Sequence, residues 1–317
     1  MSTWVIINPE AGSAAKNQHL LARVRSLLEV EARVTSAPGD ATRLARQACV
    51  QGAQRVVAAG GDGTVNEVLN GIAGHLSAVT LGVLPLGTGN DVARALGMPD
   101  DPDLALSYLL ESNDVRQIDL MRVSNPSGSR LALNHVNAGY SNLVNEQITA
   151  EMKQRWGPFA YLKAAASRLG ERREYHTRII WEDGAVEVID AVNVFVANGP
   201  TVAGGLRIAP QASLEDGMLH TFVFKSGSLV ELAGMAARAL VGDLTHSEHV
   251  ISRPTGRLHV ESTPPMIFNV DGEAFCEQIV EVRVIPGALR AIVGPKYVVA
   301  PTAAVEADRD ASSGSVG

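Results

Sequence analysis

The sequence predicts an α/β domain on a parallel sheet over residues 1–120, followed by a β-rich, sandwich-like domain over residues 121–288. Three observations carry that expectation. Strand and helix patterns alternate up to about residue 120, as parallel strands joined by helical crossovers require. Beyond it, apolar β runs broken by turn residues follow one another, as in largely antiparallel folds. A chain of 317 residues also suffices for two separate cores.

In order, Thr3-Trp4-Val5-Ile6-Ile7 is an apolar strand rich in β-branched residues. A helix is expected from Gln18 to Val30, with Leu20, Leu21, Val24, Leu27 and Leu28 on one side, then a strand in "ARVTSA", 32–37. Asp40 to Gln51 gives the next helix and "RVVAA", 55–59, the next strand. Val65, Val68, Leu69 and Ile72 recur at helical spacing, and "VTLGVLPLG", 79–87, is a strand before "TGNDVARALG". The second domain offers "LALNHVNAG", "TRIIWED", "VNVFVANG", "GMLHTFVFK", "RLHVES", "MIFNVDGE" and "IVEVRVIPG" as strands. Helical stretches at 149–172 and 228–241 interrupt them. "LRAIVG", within 289–300, is expected to return to the first domain and complete it. Residues 301–317, small and polar, read as a disordered tail.

A net charge of −7 leaves no basic excess to neutralise phosphates, which excludes nucleic acid as the main partner. Cys49 and Cys276 stand alone, so neither a disulfide framework nor a thiolate metal site is indicated, and a reducing compartment suits them. The opening strand leaves no room for a signal peptide. No apolar run approaches the ~18 residues of a spanning helix. The expectation is a cytoplasmic protein that meets a membrane only peripherally, at its inner face.

The stretch "AAGGDGTVNEVLNG", 58–71, places Gly60, Gly61, Asp62 and Gly63 where a strand hands over to a helix. There backbone N–H groups are free and the helix dipole favours an anion. A tight turn needs only one or two glycines. Three around a carboxylate, followed by Thr64, look like a phosphate cradle with a magnesium partner. The spacing matches neither the Gly-Lys-Ser/Thr loop nor G-x-G-x-x-G. Two further loops occupy equivalent strand ends: Asn8-Pro9-Glu10-Ala11-Gly12-Ser13 and Leu86-Gly87-Thr88-Gly89-Asn90-Asp91. In an open parallel sheet such ends hold the ligand, so three of them point to a nucleotide site.

"NPEAGS", "PGDATRLA", "GGDGTVNEVLNG" and "LPLGTGNDVARALGMP", with "GPFAY", "SLEDGML" and "NVDGE" later, resemble the diacylglycerol kinase catalytic-domain family, specifically its soluble bacterial lipid kinases. The resemblance runs from residue 3 to about 295. It implies an NAD kinase/diacylglycerol kinase-like fold, ATP as phosphoryl donor, Mg²⁺, and phosphorylation of a lipid hydroxyl in an interdomain cleft. Diacylglycerol is the default acceptor; phosphatidylglycerol or a sphingoid base is an alternative. It further implies nucleotide contacts from Asn8, Pro9, Glu10, Ala11 and Gly12, from Thr42, from Gly60, Gly61, Asp62, Gly63, Thr64, Val65 and Asn66, and from Thr88. Relatives often carry Lys or Arg directly after the first loop's glycine; here Ser13 follows and the first lysine is Lys16.

Asn269-Val270-Asp271-Gly272-Glu273 offers two carboxylates for deprotonating the attacking hydroxyl. In an extended segment residues i and i+2 share a face, so Asp271 and Glu273 would look into one cleft. Asp-Gly is equally a hairpin signal. The resemblance places the proton acceptor here, with Glu273 preferred and Asp271 second. It also makes Ser213-Leu214-Glu215-Asp216-Gly217-Met218 a magnesium loop, with Asp216 ligating by carboxylate and Ser213 and Met218 by carbonyls. Otherwise that loop is an Asp-Gly turn. Asp62 and Asp91 would extend the metal and water network, and Asp91 also suits a helix first turn.

Glu151 to Tyr175 carries Lys153, Arg155, Lys163, Arg168, Arg172 and Arg173 against Glu151, Glu171 and Glu174, with Trp156, Phe159 and Tyr161 interleaved. That composition suits transient contact with an anionic bilayer, and equally an ordinary solvated helix. Two other functions compete. An NAD kinase shares the Gly-Gly-Asp-Gly loop but usually has Asp-Gly-Gln in place of 271–273. A non-catalytic lipid- or nucleotide-sensing module would not need both carboxylates. The acceptor, the pathway and the oligomeric state, a homodimer among the options, are not encoded in any motif.

Overall fold

The computed structural model describes residues 2–12, 18–27, 29–140, 173–228, 247–276 and 280–299, together with 230–232, 234, 235, 238, 243 and 244. The expected helix at 149–172 and the tail at 301–317 lie outside the described residues, and the helical stretch at 228–241 lies partly outside them.

The N-terminal half alternates β1 (Thr3–Ile7), α1 (Gln18–Arg25), β2 (Val30–Val34), α2 (Asp40–Val50), β3 (Arg55–Gly60), α3 (Asp62–Gly71) and β4 (Thr80–Pro85). The four strands are parallel, in the order β2-β1-β3-β4. β1, β3 and β4 are buried along their whole length, which is why they read as unbroken Val, Ile, Leu and Ala runs. Helix α2 turns Ala41, Leu44, Ala45, Ala48 and Cys49 inward at helical spacing. Because β2 and β3 flank β1 on opposite sides, the chain reverses direction of travel at β1/β3, and a crevice opens there.

α1 is shorter than its apolar pattern suggested. Val30 pairs with Thr3 in the parallel ladder, so sheet pairing overrides the helical run from Leu27 onward. Two short helices follow β4: α4 (Asp91–Ala95) and α5 (Pro102–Glu111). α5 was not expected, although it carries a full start signal, with Asp101 accepting from Leu104 N and Pro102 in the first turn.

The second half holds β5 (Val115–Asn125), β6 (Gly128–Ala132), β7 (His135–Gly139), β8 (Tyr175–Trp181), β9 (Val186–Ala197), β10 (Leu219–Lys225), β11 (Val250–Thr255), β12 (Arg257–Thr263), β13 (Phe268–Val270), β14 (Glu273–Cys276) and β15 (Val280–Ile292). These pair antiparallel with one another. β15 runs beside β12 and β5, passes a bulge between Ile285 and Leu289, and ends parallel to β4 at Arg290 and Ala291. One sheet therefore threads both halves, and "LRAIVG" does rejoin the parallel strands. β5 crosses residue 120 without a break. One core surrounds the parallel sheet. Two others lie on opposite faces of β9 and β10. Among the described residues no helix is long and apolar enough to cross a membrane.

Candidate active site

The three glycine loops meet at the crevice. Asn8, after β1, donates from Nδ2 to Thr64 Oγ1 (3.1 Å) and accepts Glu10 N–H at Oδ1 (3.0 Å), fixing loop one to α3. Pro9 and Glu10 are exposed, and Ala11 N–H donates to Asn8 O (3.3 Å). Asn90 folds loop three on itself, accepting from Gly87 N–H and donating to Gly87 O, both at 2.9 Å. The loops touch at their glycines: a Cβ on Gly87 would sit 2.5 Å from Gly61 Cα, and one on Gly12 would sit 2.5 Å from Thr88 Oγ1. Close backbone approach, more than turn geometry, explains the run of glycines. α3 then starts at Asp62 after an extended Gly61, with no side chain among the described residues capping its first N–H groups. Such an end is built for an anion.

Three carboxylates gather beside it. Asp62 Oδ1 accepts Val92 N–H (3.0 Å) at the start of α4. Burial, then the nearby charges of Asp91 and Asp271, push its pKa above the ordinary carboxylate range. Asp91, buried, accepts Gly204 N–H (3.0 Å) and Gly205 N–H (3.1 Å) at Oδ1. Sequence reasoning placed Asp91 in a water and metal network or in a helix first turn; it does open α4, and it also holds a loop of the second half. That loop has positive φ at Ala203, Gly204 and Gly205, which turns consecutive N–H groups toward one anion.

Asp271 is the most heavily bonded of the three. Oδ1 accepts Asn134 N–H (3.0 Å) and His135 N–H (2.9 Å); Oδ2 accepts Leu133 N–H (2.7 Å) and Asn66 Nδ2 (3.1 Å). The expected extended geometry of 269–273 is overturned. Asp271 and Gly272 have φ of +47° and +97° and close a two-residue hairpin, with Val270 opposite Glu273. The Asp-Gly turn signal prevails over strand alternation because both central residues must adopt φ > 0. Glu273 opens β14; its side chain lies outside the described residues.

The remaining candidates divide. Gly60, Gly61, Asp62 and Gly63 form the loop and first turn, and Thr88 lies beside Gly12. Thr64 is held by Asn8. Val65 is 2% exposed, in the core, with its N–H donated to Gly61 O. Asn66 spends its amide on Leu131 O and Asp271, tying α3 to the hairpin. Thr42 donates to Glu67 O (2.9 Å) across the α2–α3 contact. Val65 thus packs into the core, Asn66 links α3 to the Asp271 hairpin, and Thr42 links α2 to α3.

Ser213, Asp216 and Met218 close a loop on themselves. Asp216 accepts Ser213 N–H (3.0 Å), Met218 N–H (2.9 Å) and pairs with His220 Nε2 (2.9 Å). Gly217 N–H of the same loop is held by Asp119 Oδ2, whose Oδ1 holds Gly287 N–H, both at 2.7 Å. Burial pushes the Asp119 pKa up. Among the described residues no cluster of three or more His, Cys, Asp or Glu side chains is poised for a metal. Leu133 to His135 and the Gly204-Gly205 doublet were missed; only the doublet left a trace in the sequence.

The chain matches two family models: "Diacylglycerol kinase catalytic domain" over residues 2–123, and "YegS C-terminal NAD kinase beta sandwich-like domain" over residues 134–293. It is 31% identical over 273 residues to a diacylglycerol kinase of Bacillus subtilis, covering 85% of this chain and 88% of that one. It is 32% identical over 302 residues to a probable lipid kinase YegS-like of Cronobacter sakazakii, covering 92% and 96%. A crystal structure of a putative diacylglycerol kinase from Bacillus anthracis superposes with a TM-score of 0.77 at 25% identity, covering 94% and 98%. Yeast NADH kinase, at a TM-score of 0.53 and 13% identity over 93% and 84%, shares the fold alone. The chain belongs to the diacylglycerol kinase catalytic-domain family, and it is a kinase.

Proposed function

We propose that this kinase transfers the γ-phosphoryl group of ATP to the hydroxyl of a lipid alcohol, with diacylglycerol giving phosphatidic acid as the default pair. The observation that carries the proposal is the uncapped start of α3, ringed by loops one and three with Asp62 at its first position. Backbone N–H groups of the Gly60–Gly63 turn bind the phosphates, and loop one, from Asn8 to Gly12, and Thr88 wall the nucleotide. Asp62 fits Mg²⁺: it is a hard oxygen donor whose pKa is raised by burial and then by the neighbouring carboxylates, a situation that a cation relieves. Bound there, the ion would neutralise charge on the transferred group. Asp216 Oδ1 accepts one N–H, as Asp62 Oδ1 does, so the Asp216 loop keeps a lone pair for a cation and stands as a second candidate ligand.

Glu273 takes the acceptor's proton as its oxygen bonds to the γ-phosphorus and the bond to ADP breaks. Asp271 is unsuited to that task, since four donors occupy its lone pairs and protonation would break at least one bond. Asp271 instead positions the hairpin. The basic and aromatic stretch 151–175, of which only 173–175 are among the described residues, docks the enzyme transiently on anionic lipid.

Incubation with γ-labelled ATP, Mg²⁺, a panel of lipid alcohols and NAD tests the proposal. Label in a lipid supports it. Label in NAD alone would mean an NAD kinase, and label nowhere would mean a sensing module.

A further inference from the structure

We infer that Asn137 and Asn269 form a subsite for a second hydroxyl on the acceptor's head group. The inference rests on the lipid kinase proposal and ranks its acceptors: diacylglycerol, with one free hydroxyl, is turned over, and a lipid alcohol with a second free hydroxyl is preferred. β13 sets Asn269 directly opposite Asn137, and β9 sets Phe195 on Asn137's other side. Their strand neighbours Val136, Ala138, Phe268 and Val270 fill the core on one face. By the two-residue period of a strand, both amides therefore point to the other face. That face is the separate apolar layer of Phe195, Phe222, Val202, Ile208, Leu232 and Met235.

Both amide oxygens are buried there with no hydrogen-bond partner among the described residues, and Asn137 as a whole is 5% exposed. A buried acceptor without a donor has lost its hydration for nothing, and such groups are rare enough to need a cause. Leucine at either position would suit the layer better. The position supplies the cause: Asn269 lies two residues before Asp271, about 7 Å along the strand from the hairpin that carries Glu273. Opposite residues in such a ladder hold their Cβ atoms about 5 Å apart, so the two oxygens can share one small head group. Their chemistry is complementary to O–H donors, and the surrounding apolar side chains are complementary to acyl chains. A diol can present one hydroxyl to the base and leave its other on the amides. An acceptor with a single hydroxyl cannot do both.

Wild type, Asn137→Leu and Asn269→Leu are compared in mixed micelles with monoacylglycerol, which has two free hydroxyls, or diacylglycerol, which has one. The ratio of kcat/KM for the first over the second should fall about tenfold in either variant, as loss of one hydrogen bond predicts, with KM for ATP unchanged. Thermal melting gives a readout that needs no turnover. A short-chain monoacylglycerol should raise the melting temperature of wild type and not of the variants, while an ATP analogue raises it in all three. Without ligand, the variants should melt at or above wild type. An unchanged ratio, or an unchanged monoacylglycerol shift, overturns the inference. Should the leucine variants fail to fold, as loss of the nucleotide shift would reveal, Asn137→Ser and Asn269→Ser are held to the same two outcomes. A wild type that labels no lipid would refute the kinase proposal alone, and the melting shift would still decide the subsite.

Discussion

Asp62→Asn should abolish turnover and yet stabilise the nucleotide-free protein. Asp62 Oδ2 and Asp91 Oδ2 lie 3.0 and 3.5 Å from one point beside Gly89, so they are at most about 6.5 Å apart. At an effective dielectric of about 20, two unit charges at that separation repel by about 2.5 kcal/mol. The amide removes that repulsion and keeps an oxygen for Val92 N–H. It loses the charge assistance of the bonds to the start of α4, worth about 1.5 kcal/mol. The net gain is about 1 kcal/mol, or about 1.5 °C in melting temperature for a chain of 317 residues. The pH dependence has a definite sign. Folding raises the Asp62 pKa above the ordinary aspartate value of 3.8, so the ionised group weakens the fold at neutral pH, and the penalty fades as pH falls toward that value. Melting in EDTA without nucleotide should therefore show the largest excess for the variant near pH 7, narrowing toward about pH 4. A variant that melts below wild type at pH 7, or that keeps its turnover, would refute the assignment of Asp62 to cation and phosphate.

Glu273→Gln should lower kcat by about 10²–10⁴-fold with KM for ATP unchanged; loss of ATP binding in calorimetry would move Glu273 to the nucleotide site. Asp271→Asn aims an NH₂ group at two N–H donors and should cost about 3 kcal/mol, read as a lower urea midpoint at constant slope; an unchanged midpoint would contradict its positioning role. Changing Arg172 and Arg173 to Glu reverses charge in the basic stretch, each basic residue near the surface being worth about 1 kcal/mol, and should weaken sedimentation with anionic vesicles at low salt. Equal binding of wild type and variant would rule that stretch out as the docking surface.

The parallel half was legible because buried parallel strands and glycine loops announce themselves locally. Val56, Val57, Ala58 and Ala59 are apolar because both faces of β3 are covered, and Gly60 to Gly63 follow at the strand's end. The carboxylates were legible only as residue types. What Asp91 and Asp271 do depends on backbone N–H groups of Gly204 and of Leu133 to His135, far along the chain, and no side-chain pattern displays a backbone donor. Asp271-Gly272 carried two signals at once, strand alternation and turn, and the positive φ of both residues decided for the turn. Cross-strand registry hid Asn137 and Asn269 in the same way. Each is an unremarkable polar residue until the ladder sets it beside the other.

β15 carries a mechanical consequence. No flexible linker separates the two halves, since β15 passes from one to the other inside the sheet with β5 alongside. A swing of one half against the other would have to flex a two-stranded ribbon, and the natural place is the bulge between Ile285 and Leu289, where the ladder is already interrupted. That place is clamped: Asp119 grips Gly287 with one oxygen and Gly217 with the other. The Ser213–Met218 loop is thus a brace on the fold's only crease along β15. In the proposed reaction, substrate entry then falls to the loops lining the crevice, because the braced ribbon resists a swing of one half against the other.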